Sequence, residues 1–300
     1  MKMIFEVAAS VMTSLAPMTE IETASAGSFD YSIFEGEVTV TGYSGEPEII
    51  EIPEFIGGCP VTEVRDNAFY NCNSLKSISL PDTVLKIGHH SFYACYELEE
   101  VRLPAELEEI GIGCFCGCAA LKEIDIPETL KVLPDSCFRA CGSLEAAVLP
   151  EDLEAVDKFC FAGCTELRYV QTGSSLGSIG ERSFYMCGRL ESIVVPPSVH
   201  TIGAEALGYT CDGNLMLRQT DMLIIGREGS AAEEYAREND ISFAADEEKE
   251  VFAEISSGSV TDCKNAESWL GAAVFLLLAA VFFLFFIREN RHSLNDDEDV

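Results

Sequence analysis

Basic residues are scarce in this 300-residue chain: 19 Lys and Arg stand against 51 Asp and Glu, for a formal net charge of −32. That shortage excludes nucleic acid as a partner, because binding a duplex takes cations that displace its counterions. It also argues against docking on anionic lipid headgroups, which takes clustered Lys and Arg. Histidine is rarer still, limited to His89, His90, His200 and His292. No G-x-S-x-G, H-E-x-x-H, phosphate-loop or dinucleotide fingerprint occurs. Carboxylates are so abundant that neighbours such as Glu99 and Glu100 arise from composition alone, and His89-His90 reads as a solvated turn. The sequence therefore assigns no catalytic residue, no metal ligand and no cofactor. Disorder is excluded as well, since 48% of the residues are hydrophobic and a chain of this length can bury a sizeable core.

The two ends carry membrane signals. Ser268 to Ile287 is an uncharged apolar run, long enough at 1.5 Å per residue to span roughly 30 Å, the thickness of a bilayer's hydrocarbon core. Arg288 and Arg291 follow it, whereas Glu247, Glu248, Glu250, Lys264 and Glu267 precede it. Positive charge marks the cytoplasmic side, so the reading is one transmembrane helix at 268–287 with a cytoplasmic tail at 288–300. At the other end, Lys2, the apolar stretch Val7 to Met18 and the small-residue site Ala24-Ser25-Ala26 read as a signal peptide at 1–26. Glu6, Thr13, Ser14 and Pro17 weaken that pattern. Without export the topology would be inverted.

Between these ends lies a repeat. Phe69, Phe92, Phe115, Phe138, Phe161 and Phe184 are each 23 residues apart. Cys72, Cys95, Cys118, Cys141, Cys164 and Cys187 keep the same interval, as do Leu75, Leu98, Leu121, Leu144, Leu167 and Leu190. Pro81, Pro104, Pro127, Pro150 and Pro196 close most units, with Gly173 taking that place once. A fixed period held without insertion over more than 100 residues is the signature of a solenoid.

Within a unit, Leu75, Ile78 and Leu80 occupy the inward places of an L-x-x-L-x-L strand, and Lys76, Ser77 and Ser79 face outward. A second apolar pair follows the proline, as Val84 and Ile87, and is repeated through Val199 and Ile202. Its spacing suits a second short strand, often ended by Gly (Gly88, Gly111, Gly180, Gly203). The Phe, and the small residue before it, then lie on a returning turn. Stacking buries each unit's apolar face on its neighbours. Ala147 and Thr172 replace bulkier residues of their columns, so the fourth and fifth units are expected to pack less tightly. Register dissolves between Leu207 and Leu223.

This pattern resembles the BspA-like leucine-rich repeats of bacterial and protist surface proteins. The resemblance runs from Gly36 to about Ala245, and TEVRDNAFYNCNSLKSISLP, Thr62 to Pro81, follows the family unit almost place for place. It implies a repeat solenoid of short parallel strands and turns, with a longer loop at Glu54 to Cys59. It also implies a closing helix-then-strand unit over Gly229 to Phe243. For function it implies adhesion or binding at a cell surface.

Nine of the thirteen cysteines fall in repeat columns: six at the Cys72 place, with Cys114, Cys137 and Cys160 just before Phe. A thiol in an inward column acts as a small hydrophobe, so buried free thiols are expected rather than the disulfides usual in exported proteins. Cys114-x-Cys116-x-Cys118 invites a metal, but its outer members are ordinary column residues. The outward strand positions Lys76, Arg102, Lys122, Arg168, Tyr169 and Gln171 form the candidate contact face, since solenoids present extended sheet surfaces to partners.

The resulting organisation is a signal peptide (1–26), an N-terminal cap (27–58), a leucine-rich-repeat solenoid (59–208), an end unit (209–245), an acidic stalk (246–267), a transmembrane helix (268–287) and a tail (288–300). The expected function is non-enzymatic binding of a protein or glycan ligand outside the cell. The alternative is a sensing or structural subunit that recruits a membrane partner through its helix and tail. Oligomeric state is left open.

Overall fold

The computed structural model describes residues 22–26, 29–212, 215–219 and 221–245. The chain divides into two units, Met1–Asp246 and Glu247–Val300, and the described residues all belong to the first. The stalk, the apolar run Ser268 to Ile287, the tail and most of the leader lie outside them. Among the described residues no helix is long and apolar enough to cross a membrane.

The N-terminal sheet begins with an antiparallel meander of β1 (Glu22–Ala26), β2 (Phe29–Phe34) and β3 (Glu37–Tyr43). Ala24-Ser25-Ala26, where a cleavage site was expected, sits in the edge strand β1. Next come β4 (Ile49–Glu51), β5 (Phe55–Ile56) and β6 (Cys59–Val64). Where a longer loop was expected, β5 and β6 form a tight hairpin. Gly57 and Gly58 make it possible by taking φ of 62° and 86°, values a two-residue hairpin turn requires and glycine adopts readily. β6 pairs in parallel with β3 on one side and with the first repeat on the other.

Every repeat but the third then contributes a three-residue strand and a two-residue strand. Units one and two hold β7 (Ser77–Ser79), β8 (Lys86–Ile87), β9 (Glu100–Arg102) and β10 (Glu109–Ile110). Unit three holds only β11 (Val132–Leu133). Units four to six hold β12 (Ala146–Val148), β13 (Ala155–Val156), β14 (Tyr169–Gln171), β15 (Ser178–Ile179), β16 (Ser192–Val194) and β17 (Thr201–Ile202). Partners are one period apart and parallel, as in Ser77↔Glu100, Ala146↔Tyr169 and Ala155↔Ser178. The expected alternation is met: Ile78, Ala147, Val170 and Ile193 point in and are at most 5% exposed.

The third side is a ladder of turns. The Phe69, Phe92, Phe115, Phe138 and Phe161 N–H groups donate to the carbonyls of Ser91, Cys114, Cys137, Cys160 and Ser183 in the next turn. Each turn reverses through two residues in the left-handed region: one column includes His90, Ser136, Phe159 and Arg182, the other Ala94, Ala140 and Met186. Inside, the six Phe rings form one stack with centroids 5.1–5.7 Å apart and near-parallel planes.

The glycines that end the short strands have a steric cause. A Cβ on Gly180 would lie 2.5 Å from the Asp157 backbone, and one on Gly203 would lie 2.3 Å from the Glu181 nitrogen. In unit three this column holds Pro134. Proline brings a ring where glycine lets the backbones touch, and it lacks the N–H that Gly88, Asp157, Gly180 and Gly203 donate to the preceding turn. Both strand ladders are broken between units two and three: no strand pairs β10 with β11, and residues 123–125 form no strand against β9. The missing strand at 123–125 also leaves β12, which carries Ala147, with a strand partner on its unit-five side only. Ala147 is fully buried, because the backbone bonds of β12 to β14 hold those turns together whatever the side-chain volume. At Thr172 the hydroxyl bonds the Val194 carbonyl at 2.9 Å, beside a second break between β14 and β16.

The lost register after Leu207 is an insertion. β18 (Tyr209–Asp212) and β19 (Leu215–Arg218) form an antiparallel hairpin that leaves the solenoid. β20 (Leu223–Gly226) then resumes the ladder by pairing in parallel with β16, and helix α1 (Ala231–Glu238) and β21 (Ser242–Ala245) close it. Ala232, Tyr235 and Ala236 of α1 are buried, and the Tyr235 hydroxyl both donates to the Leu207 carbonyl and accepts from its N–H. The final turn is thereby sealed, as a repeat array requires.

Candidate ligand-binding face

The outward positions of the longer strands share one surface, because partners lie in register 23 residues apart and strand side chains alternate. Of the expected contact residues, Arg102, Tyr169 and Gln171 lie in these strands, Lys76 and Arg168 immediately precede one, and Lys122 stands before the strandless segment 123–125; the charged ones are all ion-paired. Lys76 pairs with Glu48 at 3.1 Å, Arg102 with Asp82 at 3.3 Å, Lys122 with Glu99 at 3.1 Å and Arg168 with Glu166 at 3.7 Å. Exposed pairs of this kind contribute about 0–1 kcal/mol each, so they set the charge pattern more than the stability. The Tyr169 hydroxyl donates to Gln171 Oε1 at 3.0 Å, and burial raises its pKa, making the phenol a weaker acid.

One concavity marks this face. A cleft of about 260 Å³ is lined by Ser77, Ser79, Glu100, Arg102, Glu123 and Asp125, over a floor of Ile78, Val101 and Ile124. It lies at the break between units two and three. In units one, two, four and five, the N–H groups of Lys76, Glu99, Glu145 and Arg168 donate to the preceding turn. The corresponding Lys122 N–H, and those of residues 123–126, make no backbone hydrogen bond to either neighbouring turn. The local sequence explains the opening: Glu100 and Glu123 stand one period apart, and like charges side by side in a sheet repel. The cleft holds Arg102 but leaves Tyr169 and Gln171 well along the array.

The thiol columns lie in the core. Cys95, Cys118, Cys141, Cys164 and Cys187 are at most 2% exposed, and each S–H donates to the Phe carbonyl one turn back at 3.1–3.2 Å. Burial raises the thiols of Cys95 and Cys187 to about 12 and pushes Cys114, Cys118, Cys137, Cys141 and Cys164 well above the ordinary range. No disulfide joins any described cysteine. Among the described residues no three His, Cys, Asp or Glu side chains are placed to hold a metal. His89 Nδ1 accepts the Ile112 N–H at 2.9 Å, so the ring braces successive turns.

Sequence reasoning missed a second exposed surface, on the turn side. Tyr70 and Tyr93 stack at 5.1 Å, and the Phe159 ring lies between the guanidinium groups of Arg139 and Arg182, at 5.4 and 5.9 Å. The signal was present in the column after each Phe (Tyr70, Tyr93, Cys116, Arg139, Ala162, Tyr185), but its outward direction depends on the left-handed turn residues.

A repeating succession of strand, strand and turn around stacked Phe and thiol columns defines a leucine-rich-repeat solenoid. The chain belongs to the BspA type leucine rich repeat family, which it matches in six copies over residues 62–170 and 131–214. Among solved structures it is similar to a leucine rich cell surface protein of Faecalibacterium prausnitzii, with 27% identity and a TM-score of 0.56, covering 66% of this chain and 58% of that one. A leucine-rich repeat protein of Eubacterium ventriosum shares the fold at 23% identity and a TM-score of 0.55, covering 61% and 48%. The leucine rich repeat protein of T. pallidum is 32% identical over 56% of this chain and 91% of its own, with a TM-score of 0.47. The chain thus spans little more than half the length of the F. prausnitzii protein. No curated protein matches it.

Proposed function

We propose that this protein is a non-enzymatic cell-surface binding protein that presents the outward face of its longer strands to a ligand. The observation that carries this reading is the face itself: a polar, ion-paired strip along the strands, indented by a cleft. Support for the location comes from the F. prausnitzii relative, described as a cell surface protein, and from the apolar run Ser268 to Ile287 followed by Arg288 and Arg291. In this reading the run anchors the chain in the membrane, with the solenoid outside and residues 288–300 inside. Protease shaving of intact cells tests it. Release of the solenoid, with a mature N-terminus near Gly27, is the expected result, and complete protection would overturn it. Deleting residues 268–300 separates adhesion from recruitment of a membrane partner: the truncated chain is expected to keep its binding, and a function lost with the tail would favour recruitment.

A further inference from the structure

The geometry points to the cleft between units two and three as a site for a small neutral saccharide, an assignment that rests on the binding-face reading above and names its ligand class. Three features converge. The cleft, at about 260 Å³, falls just below the roughly 300 Å³ at which pockets for drug-sized ligands begin. It admits about one or two sugar rings and no folded partner. Ile78 and Ile124 turn into the core and are nearly buried, leaving half-buried Val101 as the apolar side chain at its base, so recognition rests on the polar walls.

Its walls supply both hydrogen-bonding senses. Glu100, Glu123 and Asp125 accept, Ser77 and Ser79 donate and accept, and Arg102, held by Asp82, donates. The peptide groups of residues 123–126 add donors and acceptors that no neighbouring strand uses. A vicinal diol needs that alternation, because each hydroxyl donates one bond while accepting others. Carboxylate walls in a chain of net charge −32 disfavour sialylated, sulfated or uronic-acid glycans, so the ligand is neutral. An extended peptide fits less well, because the strands here are only three residues long and offer too short an edge for strand addition.

The opening is built into the chain. Pro134 replaces the column glycine and removes one inter-turn N–H, and Glu100 faces Glu123 across the gap. The site is thus a break in the strand ladders beside a turn ladder that continues, with the Gly113, Phe115 and Gly117 N–H groups donating to the Asp135, Cys137 and Arg139 carbonyls.

The test uses the full chain in detergent micelles with maltotriose, cellotriose, xylotriose and chitotriose as neutral probes and trigalacturonate as the anionic one. At least one neutral probe is expected to bind and trigalacturonate is not. Glu100→Gln with Glu123→Gln, and separately Arg102→Ala, should weaken that binding tenfold or more, whereas Tyr169→Ala with Gln171→Ala should leave it unchanged. All these side chains are exposed or half-buried, and thermal unfolding of each variant checks the fold. A second readout needs no variant: hydrogen exchange at the amides of residues 123–126 should slow when the probe binds. No neutral probe bound, binding undiminished in the Glu100/Glu123 variant, or exchange unaltered by a bound probe would each overturn the assignment. If saccharide fails to bind while the chain still attaches cells to a surface, the assignment falls and the binding function stands. If saccharide binds but protease shaving finds the solenoid protected, the surface reading falls and the cleft stands.

Discussion

Each turn of this solenoid closes on one Phe and one thiol, and the thiol does more than fill space. Its S–H caps the Phe carbonyl of the turn before, so the column is both packed and hydrogen-bonded. Two outcomes follow at this scale. Phe138 is fully buried between two other rings, and Phe138→Ala should cost about 3–5 kcal/mol, measured by urea unfolding; an unchanged midpoint would remove Phe138 from the core. The thiols predict alkaline lability. A buried thiol whose value is raised keeps its proton in the folded chain after the unfolded chain has lost it. Its contribution is therefore complete below about pH 9 and declines toward about pH 12, by about 1.4 kcal/mol per pH unit per thiol. Stability should be flat near neutrality and fall steeply above about pH 9. Among the described thiols, maleimide on the native chain should reach Cys59, Cys72, Cys116 and Cys211, which are half-buried, and should reach the buried column thiols once the chain is denatured without reductant.

Among the elements, the short strands set the distance between turns. Gly180 sits where a Cβ would meet the Asp157 backbone, so Gly180→Ala is expected to destabilise by about 1–3 kcal/mol through overpacking, read from thermal unfolding. Pro134 in the same column has the opposite effect, separating units two and three. Amides of residues 122–126 should exchange with deuterium much faster than those of β7 and β12, because they lack ladder partners. Pro134→Gly should slow exchange at Lys131 and Val132 by allowing the turns to approach. Equal protection across all units would show the ladder to be continuous. The break could have been found in the sequence, since proline in a glycine column is visible, but its meaning depends on knowing that the glycine touches the next backbone. The hairpin at Tyr209 to Arg218 was legible only as a loss of register. Nothing in its residues says that Leu215, Met216 and Leu217 would face solvent rather than join the core.

For the whole molecule, stability is a sum over neighbouring turns, so the ends matter most. The N-terminal sheet covers the first turn, and α1 with β21 covers the last. Removing Ala231 to Ala245 should expose the apolar residues beneath Ala232, Tyr235 and Ala236 and produce aggregation, seen by size-exclusion chromatography. An unchanged monodisperse profile would mean the array needs no cap. The charge is a property of this scale too, because most of the cations on the strand face are engaged by carboxylates of the same or adjacent turns. The surplus acid coats the exterior.

The sequence by itself determined the period, the inward columns of Phe, Cys and Leu, the strand pair of each unit and the helix-then-strand close. The period and columns follow from spacing, because a solenoid places residues one period apart in contact; the closing helix and strand were implied by the family resemblance. Tertiary structure alone decided which outward residues meet. The cleft at Glu100, Arg102 and Glu123, the ion pairs that neutralise the expected contact residues and the cation–aromatic cluster at Phe159 depend on the separation of adjacent turns and the direction of each turn. Those are set by backbone contacts between neighbours, which a 23-residue pattern identifies as adjacent without giving their distance.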